Sequence, residues 1–268
     1  LSHRRRPAGD FDYERAGAGY ARQRRPDPRI AALVHAALGD AQTVLNVGAG
    51  TGSYEPPERQ VTAVEPSASM RAQRPLELAR AIDAAAEQLP FADASFDAAM
   101  AMVTIHQWAD WRTGLAELLR VSRGPVVILT FDGQALGRLW LGDYVPELNV
   151  AESARYPPIG EICAALGDGS TVEDVPIPID CIDGFTEAYY ARPEAFLDPV
   201  VRRSQSAWGF VAPVAVERGL ERLRLDLETG RWDELYGELR DQPWFVGALR
   251  LIVGRPGPDA PAAAGRAS

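Results

Sequence analysis

Thr43-Val44-Leu45-Asn46-Val47-Gly48-Ala49-Gly50-Thr51-Gly52 is the stretch that decides the fold. An apolar run rich in β-branched residues reads as a strand buried on both faces, hence as part of a parallel sheet. It stops at three alternating glycines. Glycine lets the backbone turn sharply and approach a ligand, because no Cβ stands in the way. A second apolar run, Val61-Thr62-Ala63-Val64, ends in Glu65. A carboxylate at the tip of the next parallel strand can accept hydrogen bonds from two ribose hydroxyls. Strand, glycine loop, strand and acid together point to a nucleoside-containing cofactor.

The glycine spacing discriminates between cofactors. A nicotinamide fingerprint is Gly-x-Gly-x-x-Gly. Here the third glycine comes one residue early, as Gly48-x-Gly50-x-Gly52, followed by Glu65-Pro66-Ser67 and Met70. Further on come Glu87-Gln88-Leu89-Pro90-Phe91, Ser95-Phe96-Asp97 and His106-Gln107-Trp108. In this order the motifs resemble the class I S-adenosylmethionine-dependent methyltransferases, in particular the type 11-like small-molecule members. The resemblance runs from about Tyr13 to Phe131, with a weaker echo near the C-terminus.

The resemblance implies a Rossmann-like α/β fold, with a seven-stranded mixed sheet and helices on both faces. It implies S-adenosyl-L-methionine as cofactor, held at the C-terminal ends of the strands. Asn46, Gly48, Ala49, Gly50 and Gly52 would form its cradle, Glu65 and Pro66 would meet the ribose, and Met70 the adenine. Ala86 and Glu87 are the candidates for the adenine edge, and Val103 lies at the end of the following strand. The segment from Tyr13 to Arg25 would cover the cofactor, with Tyr20 over the site and Arg25 on its carboxylate. Arginine suits a carboxylate, but an arginine cluster is also an ordinary solvated surface, and both readings stand. His106 would sit on the rim as a base for the acceptor proton, or simply pack there.

Two positions depart from the family pattern. Asn46 stands where an acid is common, although an amide oxygen can still accept a hydrogen bond. Ala85 stands where an aspartate often binds adenine. The link Ser53-Tyr54-Glu55-Pro56-Pro57-Glu58-Arg59-Gln60 is also too short and proline-rich for the usual helix. These departures keep open an accessory cofactor-binding protein, or a non-methylating enzyme on the same fold.

Composition narrows the partners. The chain has 268 residues, 46% hydrophobic, which suits one α/β domain with additions. A net charge of −9 gives nucleic acid no support. All 28 basic residues are arginine, which with abundant alanine, glycine and proline suggests GC-rich coding. Cys163 and Cys181 make neither a metal-ligand spacing nor a disulfide framework, so no metal is expected and a reduced, cytoplasmic protein is. No apolar run is long enough to span a membrane. Residues 1–10 carry basic residues without an apolar stretch and read, like 256–268, as disordered ends.

Between those ends, 11–255 reads as one domain. Its core is 27–131 plus strands at 171–180 and 245–253. Asp27-Pro28 opens a helix ending near Gly39. A short third strand is expected at Ala81–Ala85, a fourth at Phe96–Met102, a helix at Trp111–Arg123 and a fifth strand at Pro125–Phe131. Segments 132–169 and 181–241 lie outside the core and would build a helical cap. Their aromatics, Trp140, Tyr144, Tyr156, Tyr189, Tyr190, Trp208 and Phe210, suit either a lining for an apolar small molecule or the core of the cap itself. The expected activity is methyl transfer to O, N or C of a small molecule of specialised metabolism or of a quinone type.

Overall fold

The computed structural model describes residues 24–256. Tyr13 and Tyr20 therefore lie outside the described residues, as do both expected disordered ends apart from Pro256.

The main sheet has six strands: β1 (Thr43–Val47), β2 (Gln60–Val64), β3 (Ala98–Met102), β4 (Val126–Phe131), β5 (Thr171–Asp174) and β8 (Leu249–Gly254). Their order across the sheet is β2-β1-β3-β4-β8-β5. The first four are mutually parallel; β8 runs antiparallel to β4, and β5 antiparallel to β8. A separate two-stranded ribbon pairs β6 (Ile177–Pro178) with β7 (Trp244–Phe245). The order reverses direction between β1 and β3, so a crevice opens at the C-terminal ends of these strands.

The seventh strand is not formed. Ala81–Ala85 makes a single parallel bridge, Val64 to Ile82. Ile82 donates its N–H to Ala63 and accepts from Glu65, but the ladder goes no further. The segment is exposed on the sheet edge, with little apolar area to hold more of it in register. The fourth expected strand begins at Ala98 rather than Phe96, and the expected strand 171–180 is broken between β5 and β6.

Burial explains the continuous apolar strands. Val44, Met100, Val127 and Leu129 face one core layer, shared with Ile30, Val34 and Leu38 of helix α1 (Pro28–Ala37). Leu45, Val47, Ala99, Ala101 and Ile128 face the opposite layer. There they meet Leu115 and Leu118 of the helix Trp111–Val121 and Ile162 and Leu166 of the helix Ile159–Leu166. Each buried aliphatic side chain of this kind contributes about 1.5–3 kcal/mol. Helix α1 begins as its sequence implies: Asp27 caps it by accepting from the Arg29 N–H at 3.0 Å, and Pro28 fills its first turn.

No helix stands between β1 and β2. Residues 48–59 make a run of turns, as the paired prolines require. Segments 132–169 and 181–241 fold mostly into helical turns. Trp140, Tyr144, Tyr189, Tyr190 and Trp208 are buried in the larger core layer, so they serve packing, while Phe210 is exposed. Among the described residues no helix is long and apolar enough to cross a membrane.

Candidate active site

The turn after β1 is held from several sides. The Ala49 N–H donates to the Val64 carbonyl at 2.9 Å, and the Gly52 N–H to the Ala49 carbonyl at 2.8 Å. Gly48, Gly50 and Gly52 adopt φ of +67°, +51° and +98°, a region that L side chains seldom occupy. At Gly48 space is also lacking: a Cβ would lie 2.2 Å from Thr104 Oγ1.

Glu65 leans over this turn. Its carboxylate accepts the Gly50 N–H and the Ser67 N–H, each at 2.8 Å. Burial pushes its pKa upward, and those two N–H groups oppose the shift. Met70 is buried on the short helix Ala68–Ala72, whose first turn Ser67 caps. Its methyl lies 3.4 Å from where a Gly50 Cβ would be. Ala86 is buried, while Pro66 and Glu87 are half-buried. Glu87 accepts the Asp110 N–H at 3.0 Å, so its carboxylate tethers the turn before the helix Trp111–Val121.

Below the glycines lies a charged network that sequence reading missed. Asn46 Nδ2 donates to Glu55 Oε1 at 3.0 Å, and Arg74 Nη2 donates to both Glu55 oxygens at 2.9 Å. All three residues are buried. A carboxylate accepts only, so the amide must turn its nitrogen toward Glu55. Among the described residues Asn46 Oδ1 is left as a buried acceptor without a donor.

At the end of β3, Val103 adopts φ +52°, strained for a β-branched residue, while its N–H donates to Leu129 at 2.7 Å. Val103 and His106 open onto a cavity with Phe131 at the end of β4. The opposite wall comes from the two inserted segments, with Glu152, Tyr156, Phe185, Glu187 and Gln205. Thr104, beside Val103, is the residue that closes on Gly48, so cavity and glycine turn are neighbours.

His106 keeps some accessible surface because it faces this cavity, yet protein packs densely around it. Burial first, then Arg155 and Arg24, hold its pKa well below the usual imidazole range, so it is neutral at pH 7. Its ring lies 4.6 Å from that of Tyr156, centroid to centroid. Burial raises Glu152 to about 7 and Glu187 to about 8. Glu187 accepts the Ala248 N–H at 2.8 Å.

The arginine facing this interior is Arg24, not Arg25. Arg25 is exposed, whereas Arg24 lines the cavity and donates through Nε to Asp183 Oδ1 at 2.6 Å. Tyr54 OH donates to the other oxygen of Asp183, also at 2.6 Å. Asp183 thus joins the N-terminal segment, the β1–β2 link and the second insertion.

Residues 45–128 match the family model described as "Methyltransferase domain". A crystal structure named for a methyltransferase of an antibiotic biosynthesis pathway in Anabaena variabilis shares 31% identity. The alignment covers 87% of this chain and 99% of that one, with a TM-score of 0.81. The chain belongs to the class I S-adenosylmethionine-dependent methyltransferases. An S-adenosylmethionine-dependent methyltransferase from Thermotoga maritima is 17% identical over 91% of this chain and 94% of that chain, with a TM-score of 0.51. The cyclase SpnF is 18% identical over 85% of this chain and 80% of that one, with a TM-score of 0.50. These two likenesses are of fold alone. No curated protein matches the sequence.

S-adenosylmethionine is the cofactor of this methyltransferase family, and the residues present fit it. The glycine turn leaves backbone bare beneath Met70, Glu65 retains lone pairs beyond its two N–H bonds, and Asn46 Oδ1 lacks a donor. The bound cofactor supplies an electrophilic methyl group on a sulfonium.

Proposed function

We propose that this methyltransferase acts on a small molecule bound in the cavity between the strand ends and the inserted segments. One observation carries the reading: Val103 belongs to the cavity wall and, through its neighbour Thr104, borders the glycine turn. A methyl donor on that turn and an acceptor in the cavity would meet there. The inserted segments serve as a cap that excludes water and orients the acceptor. The likeness to a protein named for antibiotic biosynthesis favours an acceptor of specialised metabolism.

In this reading Glu65 holds the ribose hydroxyls, Met70 packs on the adenine, and Asn46 Oδ1 accepts from the cofactor's ammonium. Gly48, Ala49, Gly50 and Gly52 let the cofactor lie against the backbone. Pro66, Ala86 and Glu87 border the adenine, and Val103 the methionine end. The cofactor, once bound on the glycine turn, would supply the methyl, and the cavity wall would hold the acceptor facing it. A proton that must leave passes to neutral His106. The test is a screen of candidate acceptors read as S-adenosylhomocysteine release. Turnover of small molecules supports the reading. A strong preference for RNA or a peptide over every small molecule overturns it.

A further inference from the structure

The cavity wall holds one polar group whose orientation is fixed and whose donor is unused. Gln205 is only 6% exposed. Its Oε1 accepts from Trp208 Nε1 at 3.0 Å and from Thr186 Oγ1 at 2.9 Å. An indole N–H can only donate, so the amide cannot be turned around. Nε2, with two hydrogens, is therefore left without a partner among the described residues. A buried amide donor left unmade costs stability.

The same wall carries Glu152 and Glu187. Among the described residues Glu152 accepts a long hydrogen bond from Tyr156 OH, at 3.4 Å. Of the two basic side chains on the wall among the described residues, His106 and Arg24, the arginine is engaged with Asp183. Gln205, Glu152 and Glu187 thus line one cavity.

We propose that Gln205 selects the acceptor, donating from Nε2 to a carbonyl oxygen of the bound molecule while Glu152 takes an adjacent O–H or N–H. The acceptor class is a small molecule with a carbonyl next to a hydroxyl or an N–H: a hydroxyamide, a hydroxyquinone or an enolised dicarbonyl. Burial raises Glu187 to about 8 and Glu152 to about 7, so at pH 7 the first is mostly neutral and the second about half so, which lowers the wall's negative charge and its pull on a cationic amine. The inference rests on the cavity being the acceptor site, as proposed above.

The test uses matched pairs: 2-hydroxybenzamide against phenol, and 1-hydroxy-2-acetonaphthone against 1-naphthol. Each is measured for binding by calorimetry with S-adenosylhomocysteine present, and for turnover with S-adenosylmethionine. The wild type should favour the hydroxycarbonyl member by about 10-fold to 100-fold. Gln205→Glu and Gln205→Met should both lose that preference and keep their affinity for S-adenosylmethionine. Should one variant fail to fold, the other decides. A binding preference without turnover supports the recognition proposed here and counts against methyl transfer in this cavity. No preference in the wild type, no binding of any pair, or a preference that survives in folded variants overturns the inference.

Discussion

Asn46 and Glu55 are joined by a 3.0 Å hydrogen bond beneath the glycine turn, and Arg74 closes on Glu55 from the other side at 2.9 Å. Asn46, which stands where the resemblance leads one to expect an acid, thus meets the carboxylate of Glu55. Arg74 also reaches back to the Gly50 carbonyl at 3.4 Å, so the network ties the turn to the following helix. Removing one partner strands a buried charge. Glu55→Ala should lower stability by about 3–5 kcal/mol, measured by urea denaturation. A loss under about 1 kcal/mol would show that Arg74 finds water on its own.

Gly48 combines positive φ with no room for a Cβ, whereas Gly39 has positive φ and open space around it. Gly39→Ala should therefore cost about 1 kcal/mol, from backbone strain alone. Gly48→Ala should cost more and weaken S-adenosylmethionine binding as well, because Thr104 must move. Denaturation and calorimetry on both variants separate strain from crowding. Equal losses would remove Thr104 from the account.

Glu65→Ala should weaken S-adenosylmethionine binding by roughly 2–4 kcal/mol, as charged hydrogen bonds to the ribose are lost. A deoxyribose analogue of the cofactor should lose much less on the same substitution. Undiminished affinity for the natural cofactor would remove Glu65 from the ribose site.

Glu152 and Glu187 set a pH dependence with a definite sign. Their folded values, about 7 and about 8, lie above the 4.5 of an unperturbed glutamate. Between pH 4.5 and about 8 the folded chain holds protons that the unfolded chain has released. Their contribution to stability is therefore fully present below pH 4.5 and is lost as pH rises through 7 and 8. The slope is about 1.4 kcal/mol per pH unit for each proton retained. Denaturation midpoints of Glu187→Gln should decline less steeply over this range than those of the wild type. An identical decline would show that Glu187 is already ionised in the folded chain.

His106→Ala should reduce turnover by about 10²–10⁴ while leaving S-adenosylmethionine affinity in place, once an acceptor is in hand. Because the folded imidazole is neutral at pH 7, the wild-type rate should show no loss of base between pH 8 and pH 6.5 from this group. Unchanged turnover in the variant would leave His106 as a packing residue and orientation as the source of the rate.

The sequence by itself determined the β1–glycine turn–β2 unit, Glu65 at its tip, the parallel strands and the missing helix between the first two. These are local matters. Strand runs buried on both faces, glycines that must take positive φ and paired prolines each carry their physical reason within a few residues. The seventh strand failed because Ala81–Ala85 looks extended locally, while a ladder also needs a buried face to fix it. Only the tertiary structure decided that Asp183 holds Tyr54, 129 residues away, and Arg24, 159 residues away. It alone brought Glu55 under Asn46, and turned Gln205, Glu152 and Glu187 onto one cavity with His106. Isolated polar residues have no periodicity to betray them. Their partners are chosen by burial, where an unpaired charge or amide costs most, and burial is a property of the packed chain.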